Sequence, residues 1–129
     1  MNEIRTLDCN CADLARPGGH YSHATRANGL VFVSGQLPVR PNGERLVDAP
    51  FEQQATQALA NVAAALRHMG SGIAKLLQVR VYVDDIGNWP QFDALYATWT
   101  AGNRPARAVV PTGRLHHGFK IEIEAVALA

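Results

Sequence analysis

The sequence is poor in cysteine and lysine and has no excess of charge of either sign. Its 129 residues hold two cysteines, Cys9 and Cys11. One intervening residue is too short a span for an unstrained disulfide. No second cysteine pair or His-x-x-x-His completes a metal site, so both read as free thiols in a reducing compartment. Twelve Lys+Arg against eleven Asp+Glu leave a formal net charge of +1. The chain therefore lacks the basic patch that a nucleic-acid backbone or an anionic membrane calls for, and neither is expected as a partner. There is no Gly-x-Gly-x-x-Gly, no phosphate loop and no Gly-x-Ser-x-Gly elbow, which removes support for dinucleotide binding and for a hydrolase triad. The N-terminus has no basic start followed by an apolar stretch, so no secretory signal is expected. The most apolar run, residues 58–66, is interrupted by Asn61 and falls far short of the ~20 residues of a membrane span. These absences point to a soluble, cytoplasmic protein.

What remains is a composition that folds. At 47% hydrophobic and 18% charged the chain is too apolar for disorder. Its length fits one domain, residues 1–129, with a core that needs no staple. Leu30 to Gln36 (LVFVSGQ) reads as a strand, buried on both faces at its start, and Asn28-Gly29 before it as a hairpin turn. Residues 38–44, with two prolines and Asn42-Gly43, read as a loop. Phe51, Ala55, Leu59, Val62, Leu66 and Met69 trace one face of a helix. Asp48 or Ala49 is its expected cap, Pro50 its first turn and Gly70 its end. Within residues 75–85, Val79, Val81 and Val83 point one way and Arg80 and Tyr82 the other, as in a strand. Trp89, Phe92, Tyr96 and Trp99 trace a second helix, capped by Asn88 and followed by Gly102. Residues 106–110, closed by Pro111, and 119–128 are the last strands.

This order, strand-strand-helix-strand-helix-strand-strand, predicts an α+β fold with two helices on one face of a mixed sheet. In the last strand Ile121, Ile123, Ala125 and Ala127 should meet the helices. The opposite face carries Glu122, Glu124, Val126 and Leu128. A sheet face mixing acids with Val and Leu is more often covered by a partner than left wet, which predicts an oligomer.

Few residues invite chemistry. Arg107 opens what reads as a short buried strand and needs an anionic partner: an internal carboxylate, or a substrate carboxylate gripped by two parallel hydrogen bonds. Glu122 and Glu124 could enter a cleft and exchange protons with water, or pair with Arg80 or Arg114. Tyr21 lies in a polar stretch before a strand, and Gly35 in Ser34-Gly35-Gln36 would let a ligand reach the main chain. His116 and His117 could serve acid–base work. Adjacent in a β context, they would point to opposite faces and form no shared metal site.

Tyr21-Ser22, the run Gly29 to Pro38 with its Ser-Gly-Gln-Leu-Pro, Pro105-Ala106-Arg107, Arg114-Leu115 and Lys120-Ile121-Glu122-Ile123-Glu124-Ala125 together resemble the RidA/YjgF family over nearly the whole chain. The resemblance implies a chorismate-mutase-like fold, assembled as a homotrimer whose sheets line a central barrel, with clefts between subunits. It also implies hydrolysis of reactive enamine/imine intermediates of the 2-aminoacrylate type to 2-keto acids and ammonia, without cofactor or metal. Carried over by position, Arg107 matches the substrate-carboxylate arginine and Glu122 the acid that handles the attacking water. Gly35 and Val109 match positions whose main chain faces the ligand, Tyr21 the tyrosine that closes the cleft, and Ser34 the serine beside it.

The sequence departs from that pattern at Val109, Gly87, His20, Pro111 and His116-His117, where many members carry Cys, Asn, Pro, Glu and Pro-Lys. The altered rim leaves room for a bulkier or different imino acid. The alternative is a trimer that binds a 2-keto acid without turnover. A ribonuclease, a label some relatives carry, is disfavoured by the near-neutral charge.

Overall fold

Asn28 and Gly29 both take positive φ, +53° and +77°, the pair of angles that matches a two-residue turn to the twist of its strands. They join β2 (Ala24–Ala27) to β3 (Leu30–Gln36) as the Asn-Gly signal predicts. The computed structural model describes residues 3–129. A two-residue strand, β1 (Arg5–Thr6), pairs with β2 and went unanticipated because two residues carry no periodicity.

Helix α1 (Phe51–His68) buries all the positions expected of it, from Phe51 to Leu66, with Met69 buried just beyond its end. Its start differs from expectation. Pro50 itself is the cap residue, at φ −58° and ψ 154°, rather than Asp48 or Ala49, and no side chain caps the helix. Proline lacks an N–H and has a fixed φ, so it suits this boundary. Gly70 follows at φ +78°.

Strand β4 (Leu76–Val83) follows, then α2 (Trp89–Thr100), β5 (Ala106–Pro111) and β6 (Ile121–Leu128). Asn88 stands at the start of α2, yet its side chain makes no capping bond. Asp85 instead accepts from Gly87 N at 2.8 Å in the tight turn before the helix. Of the aromatic stripe on α2, Phe92 and Tyr96 are buried and Trp99 is partly so. Trp89, in the first turn, is exposed.

The sheet order is β1-β2-β3-β6-β4-β5. Only β4 and β5 pair in parallel, joined by the α2 crossover; every other pairing is antiparallel. Residues Val31, Val33, Val79, Val81, Val83, Ile121, Ile123, Ala125 and Ala127 share one face and form one core with α1 and α2. The mixed α+β sheet with two helices on one face is as expected.

Among the described residues the other face has no second layer. Phe32, Val110 and Leu128 lie on it, 45%, 40% and 49% exposed. The start of β3 is therefore buried on one face only, not on both, and β5 is an edge strand with a largely exposed pattern, not a buried one. Apolar and β-branched composition could not tell a core strand from one awaiting a partner.

Gln54 on α1 has no solvent exposure and joins three backbone groups. Its amide nitrogen donates to Val47 O (3.2 Å) and Ala49 O (3.0 Å), and its oxygen accepts from Lys120 N at 2.9 Å, one residue before β6. Gln54→Leu preserves size but abandons all three. It is expected to cost about 2–4 kcal/mol in urea unfolding at fixed protein concentration, since each buried group left unpaired is expensive. A loss within the ~0.5 kcal/mol of an ordinary surface change would contradict this role.

Candidate functional site

Glu122 rises from β6 on the open face, half-buried, beside Tyr82 of β4. Its carboxylate lies against the Cα of Gly35, where any Cβ would collide with it. Gly35 sits within the register shift between Val33 and Gln36, an irregularity that brings the β3 backbone onto the acid. Burial pushes the Glu122 carboxyl above the ordinary carboxylate range. Positive charge on His116 opposes that shift and negative charge on Glu124 adds to it. Glu124 is the structural acid of the pair, bonded to Arg80 at 2.8 Å.

Ser34 has a positioning role within the chain. Its Oγ donates to Ser22 O at 2.7 Å and its N to His23 O at 2.9 Å, tying the segment that bears Tyr21 to β3. The exposed Tyr21 ring meets His23 edge to face at 6.1 Å. His23 is buried. Its Nε2 donates to Ala15 O at 2.6 Å, which leaves Nδ1 to accept from Gln36 Nε2 at 3.0 Å. Tyr21, Gly35, His23 and Gln36 wall a cavity of about 320 Å³ with Arg45 and His117.

Arg107 occupies a different place. It lies on β5 opposite Val79, on the helix face, and is 20% exposed. Nη1 donates to Asp93 at 2.9 Å, and the guanidinium stacks over the Tyr96 ring at 4.8 Å from its centre. The internal carboxylate partner thus exists, but one contact uses one of the five N–H donors of the fork. Around it, Asp93, Tyr96, Thr100, Arg104 and Pro105 enclose about 500 Å³. The Tyr96 hydroxyl is buried and has no hydrogen-bond partner among the described residues. Burial raises its pKa, and the Arg107 charge counteracts this. Val109 shares Arg107's face, and as β5 is a sheet edge, part of its main chain has no strand partner.

Register separates the two halves. Arg107 and Val109 sit beside Val79 and Val81 on the helix face, whereas Glu122 sits beside Tyr82 on the open face. Within one chain the expected carboxylate clamp and the expected acid do not meet. His116 and His117 also depart from expectation: they lie in a short turn, not a strand, with rings 6.3 Å apart, and His117 takes φ +58°. Among the described residues no His, Cys, Asp or Glu group could hold a metal ion, and no helix is long and apolar enough to cross a membrane. Cys9 and Cys11 are free thiols.

Asp93 and Tyr96 were missed as site residues, although their three-residue spacing places both on one helix face. Arg45 was missed because nothing local distinguishes it from a surface arginine.

This fold recurs in known proteins. A family model, endoribonuclease L-PSP, matches residues 13–129. A rat protein named 2-iminobutanoate/2-iminopropanoate deaminase is 34% identical over 110 residues, covering 85% of this chain and 80% of its own length. The solved structure of YyfA from Yersinia pestis, of the conserved Rid family, superposes with a TM-score of 0.92 at 29% identity, over 98% of this chain and all of that one. TdcF of E. coli, solved with bound serine, gives 0.85 at 28% identity, over 97% of this chain and 98% of its own. The chain belongs to the RidA/YjgF family, also called endoribonuclease L-PSP.

Because burial raises the folded-state pKa of Glu122 above its unfolded value, this group favours folding at low pH. That contribution is lost as pH rises through the raised value. Glu122→Gln, uncharged throughout, is expected to gain stability relative to the parent as pH rises from about 4, the ordinary carboxylate value, through the raised folded-state value. Urea midpoints of the two proteins across that range check this; a difference independent of pH would contradict it.

Proposed function

We propose that the protein hydrolyses 2-imino acids and their enamine tautomers to 2-keto acids and ammonia, in clefts that two copies of the chain build together within a homotrimer. The observation that carries this reading is a cationic fork held ready on one sheet face and a half-buried acid of raised pKa on the other. Only a second copy can bring the two together. The apolar residues of the open face, Phe32, Val110 and Leu128, supply a surface for that assembly. A relative named as an imine deaminase and a relative solved with an amino acid bound agree with such a ligand.

In this mechanism Arg107 grips the substrate carboxylate, its tilt set by Asp93 and the Tyr96 ring. Gly35 and Val109 offer main-chain contacts, and Tyr21 covers the cleft, with Ser34 holding its segment in place. A protonated imine is already electrophilic, so the chemistry needs no cofactor and no strong nucleophile. Glu122 takes a proton as water adds to the C=N carbon, then returns it to the departing nitrogen. The balance is one imine and one water giving one ketone and one ammonia. Holding water and carbon in place contributes the rest. A Glu122 pKa above the usual range suits a group that must both accept and deliver a proton.

The test is keto-acid release from 2-iminopropanoate and 2-iminobutanoate, made in place by an amino-acid oxidase. The parent is expected to accelerate release, and Arg107→Ala to lose at least about tenfold, the value of a charge-assisted contact. An Arg107→Ala protein as fast as the parent would contradict the clamp. Arg107-dependent binding of 2-oxobutanoate by a parent that accelerates nothing would replace catalysis with ligand binding.

A further inference from the structure

The cavity between Tyr21 and His117 has a charge pattern that hydrolysis of a simple imino acid does not use. Two arginines, Arg16 and Arg45, stand in its wall with no carboxylate beside them in the lining. The other ion pairs among the described residues leave both unclaimed: Arg40, Arg67, Arg80 and Arg107 each have an acid, and Arg16 and Arg45 do not. Arg16 donates to Asn10 Oδ1 at 3.1 Å and to Cys9 Sγ at 3.8 Å. Arg45 Nη1 approaches His117 Nδ1 at 3.4 Å. Neither Asn10 nor His117 supplies a negative charge, so both guanidiniums keep their attraction for an anion.

The backbone at Arg45, an exposed residue, is fixed by the fold. Its backbone bridges to Val39, whose carbonyl accepts from the buried Asn61 at 2.9 Å. His117 is fixed from the other side. It takes φ +58°, uncommon for a side-chain-bearing residue, and its ring meets Phe119 edge to face at 5.9 Å. Non-glycine residues kept in such backbone regions cluster at ligand sites. Gly35 lines the cavity and abuts the Glu122 carboxylate, whereas Glu122 itself is outside the lining, so Arg45 and the acid occupy separate parts of the site.

We propose that this cavity holds the distal carboxylate of the substrate, so that the protein prefers 2-imino acids with a second acid group at the end of the side chain. The inference rests on the deaminase reading for the reaction and adds the substrate class. Arg45 is its specificity-determining residue, and Arg16 adds positive potential at the mouth. The reaction is unchanged: 2-iminoglutarate and water give 2-oxoglutarate and ammonia.

The experiment compares kcat/KM for 2-iminoglutarate, made in place from glutamate by an oxidase, with that for 2-iminobutanoate. The parent is expected to favour the dicarboxylate about tenfold or more, the worth of one charge-assisted hydrogen bond. In Arg45→Gln that ratio falls toward one, and Arg45→Lys, which keeps the charge, retains part of it. A parent ratio near one, or a ratio that Arg45→Gln leaves intact, overturns the proposal. Calorimetry with 2-oxoglutarate and 2-oxobutanoate separates this from failure of the deaminase reading. Arg45-dependent preference for 2-oxoglutarate by a protein that hydrolyses neither imine supports the dicarboxylate site and refutes catalysis. Equal binding of the two keto acids refutes the site.

Discussion

Two buried amides on one side of α1 hold the site's scaffold together. Gln54 and Asn61 lie seven residues apart, two helical turns, so both face inward. Asn61 donates to Leu37 O and Val39 O, and Gln54 to Val47 O and Ala49 O. The two ends of the loop spanning residues 37–49 are thus fastened to the helix. Backbone carbonyls in that loop would otherwise be buried without partners, which chains avoid strongly. Gln54 also receives Lys120 N, so the same side chain fixes where β6 begins and hence where Glu122 emerges. Loop, helix and β6 share one polar link inside an otherwise apolar core.

From that constraint follows the division of labour across the sheet. Pairing of β4 with both β5 and β6 puts Arg107 on the helix face and Glu122 on the open one, and no side-chain rotation reverses a register. The helix face supplies a rigid seat: Asp93 and Tyr96 fix the guanidinium at an edge strand. The open face supplies burial for the acid, because Gly35 lets the β3 backbone close over it. Each half is built with its own supporting contacts, yet neither holds the reagents of the other.

Much of this was legible in the sequence where residue pattern alone decides structure. The Asn-Gly turn, the α1 face from Phe51 to Met69, and the alternation in β4 and β6 were all readable from period and turn chemistry. The open face was readable too, because Glu122 and Glu124 alternate with helix-facing apolar residues next to Val126 and Leu128. What escaped were effects set by neighbours distant in sequence. Whether β5 was an edge or a core strand depended on sheet order. Asp93 became Arg107's partner only through the α2 crossover. Arg45 and His117 meet across 72 positions, and His117's turn conformation was hidden behind a strand-like context. The family resemblance supplied expected roles for Arg107 and Glu122, but the opposite placement of the two within one chain came from register.

The central claim is that one functional cleft takes Arg107 from one copy and Glu122 from another. Its most direct test mixes two inactive proteins. Arg107→Ala and Glu122→Gln are unfolded together, refolded as mixed assemblies and assayed for keto-acid release. In a closed ring of three with random mixing, about one quarter of the clefts regain both groups, and activity should return toward that fraction of the parent. If each cleft drew both residues from a single chain, mixed assemblies of equal composition would remain as inactive as the separate variants. That result would contradict the shared-cleft account.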